Sequence, residues 1–393
     1  MNINELLSRG TEETITKDEL AKSLRTKKKL RIYYGVDPSG PVIHLGHALE
    51  LKILQAFQNL GHKIIFLIGD FTGMIGDPTD RRAARQPLTR KQVLENAKTY
   101  KEQVSKFLNF KGKNPAEIVF NSKWNDKFSF KDIIELASHF TVQQFLERDM
   151  FQKRIKEEKP ISLHEFLYPL VQGNDAAELD ADVQIGGTDQ KFNMLVSRQF
   201  VKELRNKTQI VITLPLLEGT DGRKMSKSFN NVIGVTDDPD DMFGKVMSLK
   251  DDLITRYFKL ATDVKDSEIS KMEKELKKGL NPRDAKLKLA FEIVKIYHGK
   301  EKAKKAGQEF EKIFSKRELP TDIPTFKVEA EPAKLVDLIC DFKLVSSKSE
   351  ARRLIKQKAV DVDGTTIFDI NEELTPHKDM IIKVGKRKWA KIA

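Results

Sequence analysis

Two imidazoles separated by a leucine and a glycine, His44-Leu45-Gly46-His47, stand where a strand gives way to a helix. The apolar run 30–36 predicts a buried strand. Asp37-Pro38-Ser39-Gly40-Pro41 predicts a turn, because two prolines and a glycine break any ladder. The helix that follows runs through Leu49, Ile53, Leu54 and Phe57 to Gly61. Strand, turn and helix N-terminus together make an anion site, with free backbone N–H groups and the positive dipole end facing an incoming phosphate. Gly46 lets a phosphate chain come close to the backbone, although paired histidines can equally do no more than cap a helix. Far down the chain, Gly222-Arg223-Lys224-Met225-Ser226-Lys227-Ser228 follows a strand. Two lysines three apart in a loop suit a charge that develops late, such as a departing pyrophosphate. A solvated basic loop is the plain alternative.

Further polar groups have suggestive spacing. Gly69-Asp70-Phe71-Thr72-Gly73-Met74-Ile75-Gly76-Asp77-Pro78 closes a second predicted strand, Lys63 to Ile68, and is placed like the ligand-binding edge of a doubly wound sheet. Arg81, Arg82 and Arg85 follow as a basic cluster that suits phosphate or solvent equally. Tyr168, Gln172 and Asp175, four and then three apart, put a phenol, an amide and a carboxylate on one helix face. Pro169 is expected to kink that helix or displace its start. The segment then enters Val183-Gln184-Ile185-Gly186-Gly187-Thr188-Asp189-Gln190. Here Asp189 occupies the strand-end position of a ribose-binding acid.

The elements that must position these groups alternate between strand and helix. Residues 1–29 read as helical. Thr89 with Gln92, and Ser162 with Glu165, have capping-box spacing. Val93, Ala97, Tyr100, Val104 and Phe107 form an apolar helical stripe, and a helix begins near Ser129 with Ile133, Ile134, Leu136, Phe140 and Phe145 on its apolar side. Residues 88–165, with a short strand at Ile118-Val119-Phe120, therefore read as a helical insertion between the two halves of a sheet. The 393 residues allow two or three domains. A net charge of +12, from 70 Lys and Arg against 58 Asp and Glu, suits a polyanionic partner such as nucleic acid. A single cysteine, Cys340, excludes an internal disulfide and fits a reducing compartment. Without a signal-peptide pattern or a long apolar run, a cytoplasmic protein is expected.

The two motifs together, in this order, resemble the signatures of class I aminoacyl-tRNA synthetases, with Leu45 in place of the commoner isoleucine. Across nearly the whole length, and most strongly in 31–78, 162–230 and 334–393, the chain resembles the bacterial tyrosyl-tRNA synthetases. That resemblance implies an α/β fold: a Rossmann-like, doubly wound parallel-sheet catalytic domain over 1–235, a helical anticodon-side domain over 236–320, and an α+β RNA-binding module over 331–393. It implies activation of tyrosine with ATP and transfer to the tRNA 3′ end, in a homodimer; with no metal-ligand cluster in the sequence, Mg²⁺ is expected to arrive with ATP and no protein-held metal is expected. Tyr33 and Asp175 match the pair that binds the substrate phenol. Asp77, Tyr168 and Gln172 match the ammonium site, and Gln190 the amide near the carboxylate. Gly35, Asp37, Leu45, Gly46, Gly187, Asp189, Met225, Ser226 and Ser228 match the ATP cradle. Ser39, His44, His47, Lys224 and Lys227 match the groups around the reacting phosphates.

The C-terminal part carries its own signals. Asn281-Pro282 predicts a cap followed by proline at the first helical position, with Leu287, Phe291, Val294 and Tyr297 turned inward on the helix that ends at Gly299. Asp363-Gly364 fits a type I′ turn in a hairpin. Ser347 caps a helix bearing Lys348, Arg352, Arg353 and Lys356, and Lys386, Arg387 and Lys388 surround the last turn. Helix plus hairpin with a basic face resembles an RNA-binding module of ribosomal-protein type. Two rival readings are a tryptophanyl-tRNA synthetase, which the Tyr33/Asp175 pair and this module disfavour, and a non-catalytic RNA-binding descendant, which the intact histidines and lysines disfavour.

Overall fold

The structure, a computed structural model, describes residues 3–26, 28–78, 88–225, 229–314, 323–328, 331–385 and 388–393. Arg81, Arg82, Arg85, Ser226, Lys227, Ser228, Lys386 and Arg387 lie outside the described residues. By internal contacts the chain divides into two compact units, 1–237 with 245–299, and 238–244 with 300–393.

The first unit is built on six strands: β1 (Glu13–Ile15), β2 (Arg31–Val36), β3 (Lys63–Ile68), β4 (Glu117–Phe120), β5 (Val183–Gly187) and β6 (Ile210–Leu214). Their order across the sheet is β1-β6-β5-β2-β3-β4. β2 to β6 pair in parallel, while β1 runs antiparallel along β6, with Glu13 opposite Thr213. The N-terminal 29 residues are therefore not all helix. Their Glu-Thr-Ile run is too short to announce a strand by alternation, and only the free edge of β6 makes it one. β3, β5 and β6 are apolar and buried almost throughout, as expected for strands covered on both faces. From β2 the chain moves first to β3 on one side and later to β5 on the other, so the order reverses between β2 and β5. Ligands bind outside the carboxyl ends of strands at such a point.

The helix Leu45–Asn59 covers one face, with Leu49, Leu51, Ile53, Leu54 and Phe57 buried. The predicted stripe of Val93, Ala97, Tyr100, Val104 and Phe107 is buried, but it spans two helices, Arg90–Ala97 and Tyr100–Val104, and the turn that follows them. The region after Ser129 also forms two helices, Phe130–Ser138 and Val142–Leu146. Leu136 and Phe145 are buried and Ile134 is exposed. The helix His164–Glu178 continues through Pro169. The Ser162 pairing is one-sided: the Glu165 carboxylate accepts the Ser162 N–H at 2.9 Å, while Glu165 also holds Arg154 in a buried ion pair.

In the helix Pro282–His298 the buried face is Ala285, Leu289, Ala290, Ile293 and Val294, not the expected set, of which only Val294 is buried. Several apolar residues there allow two faces, and packing against the helix Ile254–Ala261 selects one. Arg9, in the last turn of the N-terminal helix Ile3–Gly10, joins that helix to this helical segment. Its buried guanidinium donates to the carbonyls of Lys259 (2.5 Å), Phe258 (2.6 Å) and Val264 (2.6 Å), capping the C-terminal turn of Ile254–Ala261.

In the second unit a five-stranded sheet packs on two helices, Leu335–Asp341 and Lys348–Lys356, around Leu335, Ile339, Ile355, Val360 and Ile382. Asp363 and Gly364, at φ 48° and 82°, make the expected two-residue turn between Val360–Val362 and Thr365–Ile367.

Candidate active site

The local design of the first motif is explicit. His44 is the N-cap of the helix Leu45–Asn59: its Nδ1 accepts the Gly46 N–H at 3.2 Å, and His47 Nδ1 accepts the His44 N–H at 3.3 Å. The rings stack with centroids 3.9 Å apart. The histidines therefore do cap the helix, and capping prepares them for more. Because each Nδ1 is an acceptor, a neutral ring carries its proton on Nε2, the nitrogen suited to donate to an anion. A Cβ at residue 46 would lie 2.9 Å from the His44 ring, so only glycine fits against that imidazole.

The second motif is stitched to the first. Ile43 and Leu45 exchange backbone hydrogen bonds with Val235 and Ile233 (3.0 and 2.9 Å), an antiparallel bridge centred on His44 and Gly234. Met225 is buried, with its sulfur 3.9 Å from the Cβ position of residue 46. Lys224 Nζ donates to Asp189 Oδ2 at 2.8 Å, so the lysine meets the acid at the end of β5. Ser39 and Gly35 are exposed beside the turn that follows β2, and Gly187 is buried at the end of β5.

A chain of polar groups fills the switch point. The Tyr168 hydroxyl donates to Asp37 Oδ2 at 2.8 Å, and the Thr72 hydroxyl to Asp37 Oδ1 at 2.6 Å. Asn121 Nδ2 donates to Thr72 Oγ1 and to Asp175 Oδ2, both at 3.0 Å. Asp175 Oδ1 accepts from Trp124 Nε1 (2.7 Å) and Asn125 Nδ2 (2.9 Å). Gln190 Nε2 donates to Asp77 Oδ2 at 2.5 Å, and Gln190 Oε1 accepts from Asn193 Nδ2 at 3.0 Å. Hydrogen bonding thus links Tyr168 with Asp37, and Asp77 with Gln190, across the ligand groupings that the resemblance implies. The Tyr33 hydroxyl is buried with no hydrogen bond of ordinary geometry, though Ser197 lies beside it, and Gln172 Oε1 is also buried without a partner.

Burial raises both central acids to about 7. At Asp37, bonds from Thr72 and Tyr168 oppose burial, while the charges of Asp77 and Asp175 add to it. At Asp175 the three donors oppose it. Burial and then the Asp175 charge push the Tyr33 hydroxyl well up. A raised aspartate favours its neutral form, so the contribution of these groups to stability is intact at low pH and is lost as pH rises from the ordinary carboxylate range through about 7. A ligand that placed an ammonium and a phenol beside these acids, as the resemblance implies for tyrosine, would favour their ionised forms. The gain in Tm on adding tyrosine is therefore expected to grow as pH rises through about 7. A gain independent of pH in thermal-shift measurements would contradict this account of the site.

Residue spacing missed the groups that hold Asp175. Asn121, Trp124 and Asn125 follow β4 some 50 residues earlier in the chain, and only their clustering as Asn121-Ser122-Lys123-Trp124-Asn125 after a strand hinted at a polar strand end. It also missed Arg148, which is buried against the rings of Phe151 and Phe192, in the field of Asp77 and Tyr168. Glu50, buried on the histidine-capped helix, is raised to about 8, by burial first and then by Asp189.

In the second unit, Ser347 caps the helix Lys348–Lys356 as expected. Lys348 pairs with Asp337 at 2.7 Å, Lys388 Nζ donates to the Leu344 carbonyl at 2.6 Å, and Arg352, Arg353 and Lys356 are exposed on one short helix.

Comparison with known proteins identifies the family. The family model of class I tRNA synthetases (W and Y) matches residues 25–315, and a model of the tyrosine–tRNA ligase SYY-like C-terminal domain matches 316–392. The chain is 47% identical to a tyrosine–tRNA ligase of Thermotoga maritima, covering 99% of this chain and 96% of that protein. It is 49% identical to one of Carboxydothermus hydrogenoformans, covering 99% and 97%. Among solved structures, the tyrosyl-tRNA synthetase of Archaeoglobus fulgidus complexed with L-tyrosine aligns with a TM-score of 0.59 and 25% identity, over 78% of this chain and all of that one. A C-terminally truncated mitochondrial tyrosyl-tRNA synthetase of Coccidioides posadasii aligns with a TM-score of 0.61 and 28% identity, over 78% and 90%. With the paired signatures joined at one switch point and the family match covering nearly its full length, the chain belongs to the class I tRNA synthetases of the tryptophan and tyrosine group, and within it to the tyrosine–tRNA ligases.

Proposed function

We propose that the ligase reaction runs on the residues gathered at this switch point, and the observation that carries the reading is the buried Tyr33 hydroxyl beside the triply held Asp175 carboxylate. A substrate phenol placed between them donates to Asp175 and accepts from Tyr33. Its ammonium is held by Asp77, Tyr168 and Gln172, and Gln190 stands near its carboxylate. Asp37, Gly35, Gly187 and Asp189 cradle the adenosine, together with Leu45, Gly46 and Met225. The substrate carboxylate then attacks the α-phosphate in line, giving tyrosyl-adenylate and pyrophosphate. Transfer to the terminal ribose of tRNA releases AMP. This chemistry asks the protein for position and charge rather than for a nucleophile. The Nε2–H donors of His44 and His47, the Ser39 side chain and the Lys224 ammonium stabilise the charge that moves onto the phosphates. The same role is proposed for Lys227, and ATP binding for Ser226 and Ser228.

Mg²⁺ would enter on the phosphates of ATP, as it commonly does at sites that transfer phosphoryl groups. Exposed apolar side chains on the insertion, Phe130 (81%), Ile134 (55%), Val142 (62%) and Leu163 (80%), support a homodimer formed through it. By role, the chain would divide into a catalytic part over 1–235, an anticodon-side helical part over 236–320 and an RNA-binding module over 331–393. A tRNA substrate and a single cysteine fit the cytoplasm. Among the described residues no helix is long and apolar enough to cross a membrane.

Amino-acid-dependent exchange of pyrophosphate into ATP tests the reading. Exchange driven by tyrosine and not by tryptophan supports it. Exchange driven by tryptophan, or none, rejects it.

Deletion of residues 331–393 is expected to leave that exchange largely intact and to impair tRNA charging. Arg352, Arg353 and Lys356, with Lys348, Lys386, Arg387 and Lys388, would each neutralise phosphate, so the truncated chain should bind tRNA with a shallower dependence on salt. An unchanged salt slope would remove RNA contact from this module.

A further inference from the structure

Lys224 stands on a built support. Glu218 and Lys224 pair antiparallel, the Gly219 N–H donates to the Arg223 carbonyl at 2.7 Å, and the Gly222 N–H donates to the Gly219 carbonyl at 3.0 Å. Gly222 turns this small hairpin at φ 81°. Its base is fastened to the helix Ile254–Ala261. The Tyr257 hydroxyl donates to the Glu218 carbonyl, and Arg256 reaches the Leu216 carbonyl at 2.6 Å and the Glu218 carboxylate at 3.1 Å.

Asn231, 1% exposed, closes the support from the other side. Its Nδ2 donates to Asp221 Oδ1 at 2.7 Å, to the Lys224 carbonyl at 3.1 Å and to the Arg223 carbonyl at 3.4 Å. Its own carbonyl accepts the Thr220 N–H at 3.0 Å. A Cβ at residue 219 would lie 2.4 Å from the Asn231 amide, so the hairpin backbone lies directly on it. Every group facing Nδ2 is an acceptor, and a short side chain with two N–H donors serves them where a carboxylate or an apolar group could not. Asp221 is shared: it also takes the Arg223 backbone N–H at 3.0 Å and the Arg223 Nε at 2.6 Å. The Arg223 guanidinium in turn lies 4.1 Å over the Phe229 ring.

We infer that Asn231 is a positioning residue for adenylate formation, which holds the main chain of Lys224 so that its ammonium stands at Asp189, on the edge of the site where the phosphates pass. The inference rests on the role proposed above for Lys224. A lysine side chain is long and flexible, so an ammonium is aimed only as well as the backbone that carries it. Slippage of about 1 Å at a reacting group can slow a reaction on the order of a hundredfold. Asn231 touches no substrate in this arrangement and acts only through Lys224.

Asn231→Ala, Lys224→Ala and the double variant decide it, in pre-steady-state adenylate formation with tyrosine affinity followed by fluorescence. Asn231→Ala is expected to slow adenylate formation by about tenfold or more while tyrosine affinity stays within about twofold. In the Lys224→Ala background it should slow the reaction no further, because what it positions is gone. Factors that multiply in the double variant overturn the inference and leave the reading of Lys224 standing. A Lys224→Ala enzyme as fast as the parent overturns that reading instead. If Asn231→Ala does not fold, the decision passes to Asp221→Ala, because the Asp221 side chain is partly exposed and its loss removes the 2.7 Å bond. That variant is expected to slow adenylate formation by a smaller factor at unchanged tyrosine affinity, and a parental rate overturns the inference.

Discussion

Asp175→Asn is expected to lower kcat/KM for tyrosine in pyrophosphate exchange by about two orders of magnitude, while the slow activation of phenylalanine changes far less. Two losses combine. A hydrogen bond to a charged acceptor contributes about 1.5–3 kcal/mol, roughly twice a neutral one, and phenylalanine never makes it. The new amide also turns an N–H₂ toward a site where Asn121, Trp124 and Asn125 all present donors to the Asp175 carboxylate. At least one of those buried donors is then left unpaired, or the side chain turns away from the substrate. Discrimination between the two amino acids should narrow accordingly. Tyr33→Phe should narrow it by about tenfold, since it removes one neutral donor and keeps the ring that packs against Ile65, Leu67 and Ala176. Equal falls for tyrosine and phenylalanine would make Asp175 a structural residue and end the specificity argument.

Lys224→Ala is expected to slow adenylate formation by about 10²–10³ with little change in the dissociation constant for tyrosine. The lysine is nearly half exposed and bound to Asp189, so the ion pair itself adds little to folding. Its charge is needed only as negative charge gathers on the departing pyrophosphate, and an interaction made only in the transition state appears in the rate and not in ground-state affinity. Single-turnover measurements separate the two quantities. A parallel fall in rate and tyrosine affinity would place Lys224 in the ground-state complex and remove its catalytic role.

What the sequence determined on its own is mostly local. Lys63 to Ile68 forms the predicted strand, and the turn after β2 falls where two prolines and a glycine forbid a ladder. Asn281 caps a helix with proline at its first position, and Asp363-Gly364 makes the hairpin turn. These features depend on residue type within a few positions, through backbone dihedrals and capping hydrogen bonds, so they can be read without the fold. The helix cap that the histidine motif allowed is legible for the same reason.

Tertiary structure alone decided which of these groups meet. The short N-terminal run becomes β1 only because β6 offers it an edge. The buried face of Pro282–His298 was chosen by its neighbour, since a helix with apolar residues on more than one side has no intrinsic inside. Above all, the hydrogen-bond partners of Asp175, Asp37 and Asp189 come from 35 to 131 residues away. An asparagine or tryptophan at a strand end carries no mark of the carboxylate it will hold. The sheet order, with β4 outside β3 and β5 turned to the other side of β2, brings Asn121, Trp124 and Asn125 to Asp175, and a buried carboxylate must find donors where the fold supplies them.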